Sequence, residues 1–257
     1  MNIKSSTIYN MDCIEGMKHI PDKTIDMILC DLPYGTTNCS WDEIIPFKSL
    51  WEQYERIIKD NGAIVLTASQ PFTTKLISSN MRLFRYEWIW KKGKHVTGFQ
   101  NAKRMPLKNH ENICVFYKKL PTYHPQGIIP LVKIRKNKRK KIGGIFREGD
   151  ESLLQEYETT HTNYPRSILD YSRESKTFHP TQKPLVLFEY LIKTYTNRGN
   201  LVLDNCMGSF TTAVACDNTK RNWIGFELDK KYCRQGKVRI NENRKSLGLE
   251  GVNTVFI

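Results

Sequence analysis

Residues 25–35 read Ile-Asp-Met-Ile-Leu-Cys-Asp-Leu-Pro-Tyr-Gly, an apolar run that stops at a carboxylate, a restricted backbone and an aromatic ring. These residue types suit a flat heterocycle that carries an exocyclic amine. The Asp31 carboxylate can accept one amine hydrogen and a neighbouring backbone carbonyl the other, while Pro33 stiffens the turn and Tyr34 offers a ring for stacking. Alone, the tetrapeptide reads better as an ordinary turn after a strand. A second group lies far downstream. Residues 200–212, Asn-Leu-Val-Leu-Asp-Asn-Cys-Met-Gly-Ser-Phe-Thr-Thr, again end an apolar run at an acid, Asp204. A loop of small residues follows, with Gly208, Ser209, Thr211 and Thr212, and leads into Ala213–Cys216. The next apolar run, Asn222–Phe226, also ends in an acid. That acid, Glu227, falls 23 positions after Asp204, close to the ~20-residue spacing at which a carboxylate meets ribose hydroxyls.

Acids at the ends of apolar runs need a particular scaffold. Open α/β sheets bind ligands at the carboxyl ends of buried parallel strands, and a strand, loop and helix places helix N-terminal amides against a polar ligand group. The rest of the chain supplies such elements. A short strand begins the stretch Ile8–Cys13, with a helical turn or two over Ile14–Ile20 before Pro21 and Asp22. Apolar positions 47, 50, 51, 54, 57 and 58 form a helical stripe that ends at Asn61-Gly62, followed by a buried strand over Ala63–Thr67. A helix is expected over Phe72–Asn80. Two aromatic-rich strands, Phe84–Lys91 and Asn112–Lys118, read as an antiparallel pair at the sheet edge. A helix over Leu185–Tyr195 feeds the strand at Leu201.

Both motifs, in this order, resemble the amino-methylating DNA methyltransferases that use S-adenosylmethionine. Asp31-Leu32-Pro33-Tyr34 is similar to that family's Asp/Asn/Ser-Pro-Pro-Tyr/Phe tetrapeptide, and Asp204–Thr212 to its Asp-Pro-Phe-x-Gly-Ser-Gly-Thr-Thr cofactor loop. A third piece, His179-Pro180-Thr181-Gln182-Lys183-Pro184, resembles the segment that helps hold the methionine end, with His179, Thr181 and Lys183 as its carriers. Catalytic motif first and cofactor loop last is the beta-class order. The resemblance implies an α/β, Rossmann-like methyltransferase sheet, mostly parallel with an antiparallel edge strand, plus an inserted loop-rich recognition module. It implies transfer of a methyl group from S-adenosylmethionine to the N6 amine of a flipped adenine in double-stranded DNA, leaving S-adenosylhomocysteine. Asp12 resembles the family's acid near the cofactor adenine, though the residues alone read it equally as a turn acid. Three departures stand out: Leu32 for the first proline, Asn205 for the proline after the aspartate, and Phe210 for the second loop glycine. Leucine keeps the carbonyl and loses a fixed φ. Phe210 is expected in an ordinary backbone conformation, because a left-handed one would strain it.

Aspartate at position 31 favours adenine over cytosine N4, where serine is more frequent. A catalytically silent DNA-binding relative is disfavoured by the intact Asp31, Tyr34, Thr211 and Thr212. A nucleotide-binding dehydrogenase would carry Gly-x-Gly-x-x-Gly near the start of the fold, and that pattern is absent.

Composition speaks to the partner. The 257 residues carry a net charge of +14, which suits a polyanion. Seven cations crowd into residues 133–141, namely Lys133, Arg135, Lys136, Lys138, Arg139, Lys140 and Lys141, and this run is expected to contact DNA phosphates. It lies in a stretch of different character, residues 119–175, rich in Pro, Gly and acids. We expect three parts: catalytic domain 1–118, target-recognition module 119–175, and catalytic domain 176–257. Trp41-Asp42 could line the DNA cleft. The seven cysteines form no Cys-x-x-Cys pair and His95 and His110 lack ligand spacing, so reduced thiols and no metal are expected. With no signal-peptide pattern or membrane-length apolar run, the expectation is a cytoplasmic monomer or homodimer.

Overall fold

The computed structural model describes residues 3–37, 39, 42–138, 156–174, 177, 179 and 181–256. Contacts divide the chain into two units, Met1–His124 with Ser167–Ile257, and Pro125–Arg166.

The larger unit begins with β1 (Thr7–Asn10), α1 (Cys13–Met17), β2 (Ile25–Asp31), α2 (Phe47–Ile57), β3 (Ile58–Ala68), α3 (Phe72–Ser79), β4 (Phe84–Lys91) and β5 (His110–Phe116). The smaller unit holds β6 (Ile129–Lys138) and β7 (Glu156–Thr162). The chain then returns with β8 (Ile168–Asp170), α4 (Leu185–Tyr195), β9 (Leu201–Asp204), α5 (Thr211–Thr219), β10 (Asn222–Phe226), α6 (Lys230–Ser246) and β11 (Asn253–Phe256).

Nine strands form one sheet in the order β11-β1-β10-β9-β2-β3-β5-β4-β8. Its centre follows from the apolar runs, since strands buried on both faces read as continuous hydrophobic segments. In β2 the side chains alternate as a strand requires. Met27 and Leu29 join the face covered by α4, α5 and α6, while Ile28 and Cys30 join the face covered by α1, α2 and α3. The stripe of α2 buries Leu50, Trp51, Tyr54 and Ile57, each contributing roughly 1.5–3 kcal/mol by leaving water.

Four expectations need correction. The antiparallel strand is not at the edge. Among the described residues β5 alone runs against the others, lying between β3 and β4, and β8 adds parallel to β4 outside it. The strand expected over Ala63–Thr67 starts already at Ile58, where α2 stops, because Ile58 pairs with Ile25 before the register shifts to Met27↔Ala63. The inserted module is narrower than 119–175: His124 N–H donates to Thr194 of α4 at 2.8 Å, and Ile168–Asp170 pairs with β4, so the flanks pack with the sheet. Nor is the module wholly irregular, since β6 and β7 pair antiparallel, with Arg135↔Thr159 and Lys136↔Glu158 in register. Lys133, Arg135 and Lys136 therefore stand exposed on a strand. The side chain of Lys138 and residues Arg139, Lys140 and Lys141 lie outside the described residues, as do Trp41 and Pro180.

Candidate active site

Strands β9 and β2 are neighbours in the middle of the sheet, and the chain steps from β2 to β3 on one side and from β9 to β10 on the other. The carboxyl ends at such a switch point form the binding crevice of open α/β folds. Every catalytic and cofactor residue read from the sequence lines one cavity of about 630 Å³ at this place, from Asp12 and Asp31–Tyr34 through His179, Thr181 and Lys183 to Asp204–Ser209, Thr211, Thr212 and Glu227.

At the end of β2 the Asp31 carboxylate is held from three sides. Oδ1 accepts from the Tyr34 hydroxyl at 2.8 Å and from the Thr67 hydroxyl of β3. Oδ2 accepts from Lys183 Nζ at 2.6 Å. Lys183 in turn lies 3.4 Å from Glu111 Oε2, whose other oxygen takes Lys92 Nζ at 2.6 Å. Two half-buried carboxylates and two buried ammonium groups thus form one balanced cluster. Burial opposes charge on Glu111, but Lys183 and Lys92 outweigh it and hold its carboxyl below the usual range. Burial likewise opposes the Lys183 charge, yet Asp31 and Glu111 prevail and raise its pKa. The Tyr34 hydroxyl is pushed well up by burial and then by Asp31 and Glu111. Its ring stacks on Phe72 at 5.1 Å and 25°, with Lys183 Nζ 5.6 Å from its centroid.

The sequence reading missed Glu111, Lys92 and Thr67, and it gave no hint of what Asp42 does to the loop. Glu111 belongs to the antiparallel strand, so its N-terminal end, not its C-terminal end, reaches the crevice. Asp42 is buried, and its two oxygens accept from the backbone N–H groups of Tyr34, Gly35, Thr36 and Thr37 at 2.7–2.9 Å. Burial raises its pKa, but the Thr37 hydroxyl and the backbone N–H groups of Gly35, Thr37 and Thr36 together outweigh it and bring the carboxyl below the usual range. Asp42 therefore shapes the loop after the tetrapeptide and also lines the cavity. Leu32 is 4% exposed and packs with Tyr54 and Phe72 on the α1–α3 face. Its anchored side chain fixes the backbone that a proline ring would otherwise restrict.

On the other side Asp204 organises its loop. Oδ1 accepts from Cys206 N–H at 3.0 Å and Oδ2 from the Thr212 hydroxyl at 2.5 Å. Burial lifts its carboxyl to about 6. Glu227 closes the loop from β10: Oε2 accepts from Gly208 N–H and Oε1 from Asp229 N–H, both at 2.8 Å, and burial raises its pKa. The hydroxyls of Ser209 and Thr211 meet at 3.0 Å. Arg239 of α6 donates to the Ser209 carbonyl at 2.6 Å and to Thr211 Oγ1 at 2.9 Å.

Phe210 departs from expectation. Its φ is +62° and ψ +24°, the left-handed conformation that a glycine would adopt freely. The conformation costs about 1–2 kcal/mol in a residue with a Cβ. What offsets it is the ring, fully buried and seated against Gly236 of α6, where an added Cβ would come within 2.0 Å of it.

The third segment joins the two. His179 is buried, its Nδ1 3.1 Å from the Thr181 hydroxyl, and burial lowers its pKa. Its Nε2 would lie 3.3 Å from a Cβ on Gly208. Gln182 is buried with Oε1 unpartnered among the described residues. Glu174 accepts Leu185 N–H at the start of α4 at 2.9 Å. Asp12 caps α1 through Glu15 N–H at 3.0 Å, as a turn acid does, and also lines the cavity.

A carboxylate and small-residue loop from opposite ends of the chain thus converge on one crevice. A family profile described as DNA methylase, of the N6/N4 methyltransferase type, matches residues 25–238. The chain belongs to the N6/N4 DNA methylase family. This DNA methyltransferase is 25% identical over 246 residues to the type II methyltransferase M.HpaI of Haemophilus parainfluenzae, covering 90% of this chain and 72% of that one. It is 26% identical over 259 residues to the DNA adenine methyltransferase YhdJ of Escherichia coli strain K12, covering 93% and 83%. Its fold is like that of M1.HpyAVI solved with S-adenosylmethionine, with a TM-score of 0.64 at 23% identity over 91% of this chain and 98% of that one. It is also like that of the cytosine-N4-specific PvuII DNA methyltransferase, with a TM-score of 0.66 at 15% identity over 98% of each. Among the described residues, no helix of this DNA methylase is long and apolar enough to cross a membrane.

Proposed function

We propose that this DNA methylase transfers a methyl group from S-adenosylmethionine to the N6 amine of an adenine flipped out of duplex DNA. One observation carries the reading: the Asp31 carboxylate, fixed by three donors, faces the same cavity as the loop built on Asp204.

The residues present fit the cofactor. The cavity volume of about 630 Å³ lies within the range of cofactor sites. Gly208 leaves open a cradle that a side chain would crowd against His179, and Gln182 offers a buried acceptor that has no partner among the described residues. Glu227 would hold ribose hydroxyls with the acceptor capacity left beyond two amide bonds, Asp12 would meet the adenine end, and His179, Thr181 and Lys183 the methionine end. When bound, S-adenosylmethionine supplies an electrophilic methyl on sulfonium sulfur.

The chain's own residues prepare the nucleophile. A base inside a duplex cannot reach the carboxylate, so the nucleotide must leave the stack. Tyr34 Oη, Thr67 Oγ1 and Lys183 Nζ fill three of the roughly four acceptor positions of Asp31. The remaining one accepts an N6 hydrogen and the Leu32 carbonyl accepts the second, which aims the nitrogen lone pair. Tyr34 stacks on the base, and positioning supplies much of the rate. The N6 proton passes to Asp31 or to water beside it. The cations on β6, Lys133, Arg135 and Lys136, would contact phosphates.

Adenine is favoured by the aspartate at position 31 and by similarity to a relative named as an adenine methyltransferase. Mapping modified bases in DNA from cells that express the protein tests this. N6-methyladenine at a recurring sequence is the expected result, N4-methylcytosine would assign the other base, and unmodified DNA would remove the reading.

A further inference from the structure

The segment between β4 and β5 has chemistry that the pocket does not use. From Lys91 to His110 there is no acidic residue, and six cations are present, at positions 91, 92, 94, 103, 104 and 108. Lys91 and Lys92 pair with Asp170 and Glu111 at 2.7 and 2.6 Å. Lys94, Lys103 and Arg104 stand exposed.

The segment is built rather than loose. The backbones of Thr97 and Lys108 exchange both hydrogen bonds, at 2.8 and 3.0 Å, and close a stem. Above it Phe99–Asn101 form a 3₁₀ turn, and the N–H groups of Arg104 and Met105 donate to the Asn101 carbonyl at 2.8 and 3.0 Å. Thr97, Lys108 and His110 of the stem line the cavity. All residues from 98 to 106 are exposed, and among them Phe99 is 66% and Met105 54% accessible. An apolar ring on a hydrogen-bonded, cationic tip, rooted in the wall of the pocket, is not explained by the sheet's own packing.

We propose that this tip enters duplex DNA as the target nucleotide leaves it, with Phe99 filling the vacated stack and Lys103 and Arg104 holding flanking phosphates. The inference rests on the proposed function. Apolar wedges of this kind separate base steps in other DNA-binding proteins, and extrusion of a base needs such compensation. Charge selects the occupant: a run of cations without acids suits a polyanion, whereas a second copy of a chain carrying +14 would set like charges together.

The test is single-turnover methylation by the full-length protein of a duplex carrying the site found by mapping, with the target base matched or mispaired. Native enzyme is measured first; if it moves no methyl group to this duplex, the functional reading itself falls. Phe99→Ala removes an exposed ring, so an unchanged melting curve is expected. Its rate should fall at least about tenfold on the matched duplex and return to within about twofold of native on the mispaired one, where unstacking costs least. In parallel, Lys103→Gln with Arg104→Gln should flatten the salt dependence of binding by about 0.9 for each phosphate left without its cation. An equal loss on both duplexes, no loss on either, or a loss that tracks a change in oligomeric state by light scattering would each overturn the proposal.

Discussion

Asp31 accepts hydrogen bonds from Tyr34, Thr67 and Lys183 at once, so its replacement separates chemistry from architecture. Asp31→Asn keeps the shape but turns an amide donor toward other donors. Methyl transfer should fall by about two to four orders of magnitude, stability by about 1–3 kcal/mol, and duplex affinity little. Labelled-methyl transfer beside DNA anisotropy checks this, and near-native turnover would take Asp31 out of the mechanism. Glu111→Gln should destabilise by on the order of 3 kcal/mol, because it leaves two buried ammonium groups with one carboxylate. A urea midpoint unchanged from native would contradict that. Asp204 makes a pH prediction. Its carboxyl sits at about 6 in the fold against an ordinary 3.8. The folded chain therefore takes up the proton more readily than the unfolded one, and between these values stability falls as pH rises. Asp204→Asn can keep the Cys206 N–H bond on its carbonyl oxygen and donate its amide to the Thr212 hydroxyl, without the buried charge. Its stability relative to native should improve from pH 4 to 7 by up to about 3 kcal/mol, and a difference independent of pH would show that Asp204 does not titrate in this window.

The elements show why some of the site was legible and some was not. Strands β2, β9 and β10 were readable because each is an apolar run that an acid stops, and four of the six stripe positions, Leu50, Trp51, Tyr54 and Ile57, form the buried face of α2, while Phe47 is half-buried and Ile58 begins β3. Helix α6 left no such signal, since only Cys233, Gly236 and Ile240 of its length are buried; β8 and β11 are three and four residues long, too short for alternation to register. Glu111 was hidden by direction, as the acid that begins an antiparallel strand reaches the same rim as acids that end parallel ones. Asp42 acts on backbone amides, which impose no side-chain pattern. Phe210 misled because its residue type argues against a positive φ that only tertiary packing reveals. That packing can be tested. Gly236→Ala should push the Phe210 ring out of its seat, lowering stability by about 1–3 kcal/mol and raising the KM for S-adenosylmethionine several-fold, with DNA affinity unchanged. Phe210→Gly should also destabilise, because the lost ring is worth more than the strain of about 1–2 kcal/mol that it relieves. Unchanged cofactor KM in the Gly236→Ala variant would detach α6 from the loop.

At the scale of the whole molecule, charge decides the encounter. Lys136 meets Glu158 only at 3.7 Å on the surface, a pair worth little, so β6 keeps its cationic character. Glutamine at Lys133, Arg135 and Lys136 should weaken specific and nonspecific duplex binding alike, and flatten the log-affinity against log-salt slope by about 0.9 per phosphate no longer neutralised; an altered methylation sequence would mean that the strand reads bases instead. The two motifs of the site come from segments that the chain joins only by leaving the larger unit at His124 and re-entering at Ser167. What holds Asp31 beside Asp204 is the β2–β9 ladder and the Lys183 ion pair, neither of which depends on that connection. Covalent continuity is therefore dispensable to the chemistry. A gene cut within the Pro125–Arg166 segment should yield two polypeptides that reassemble into a working enzyme when co-expressed, and recombination could exchange the order of the halves while leaving the crevice intact.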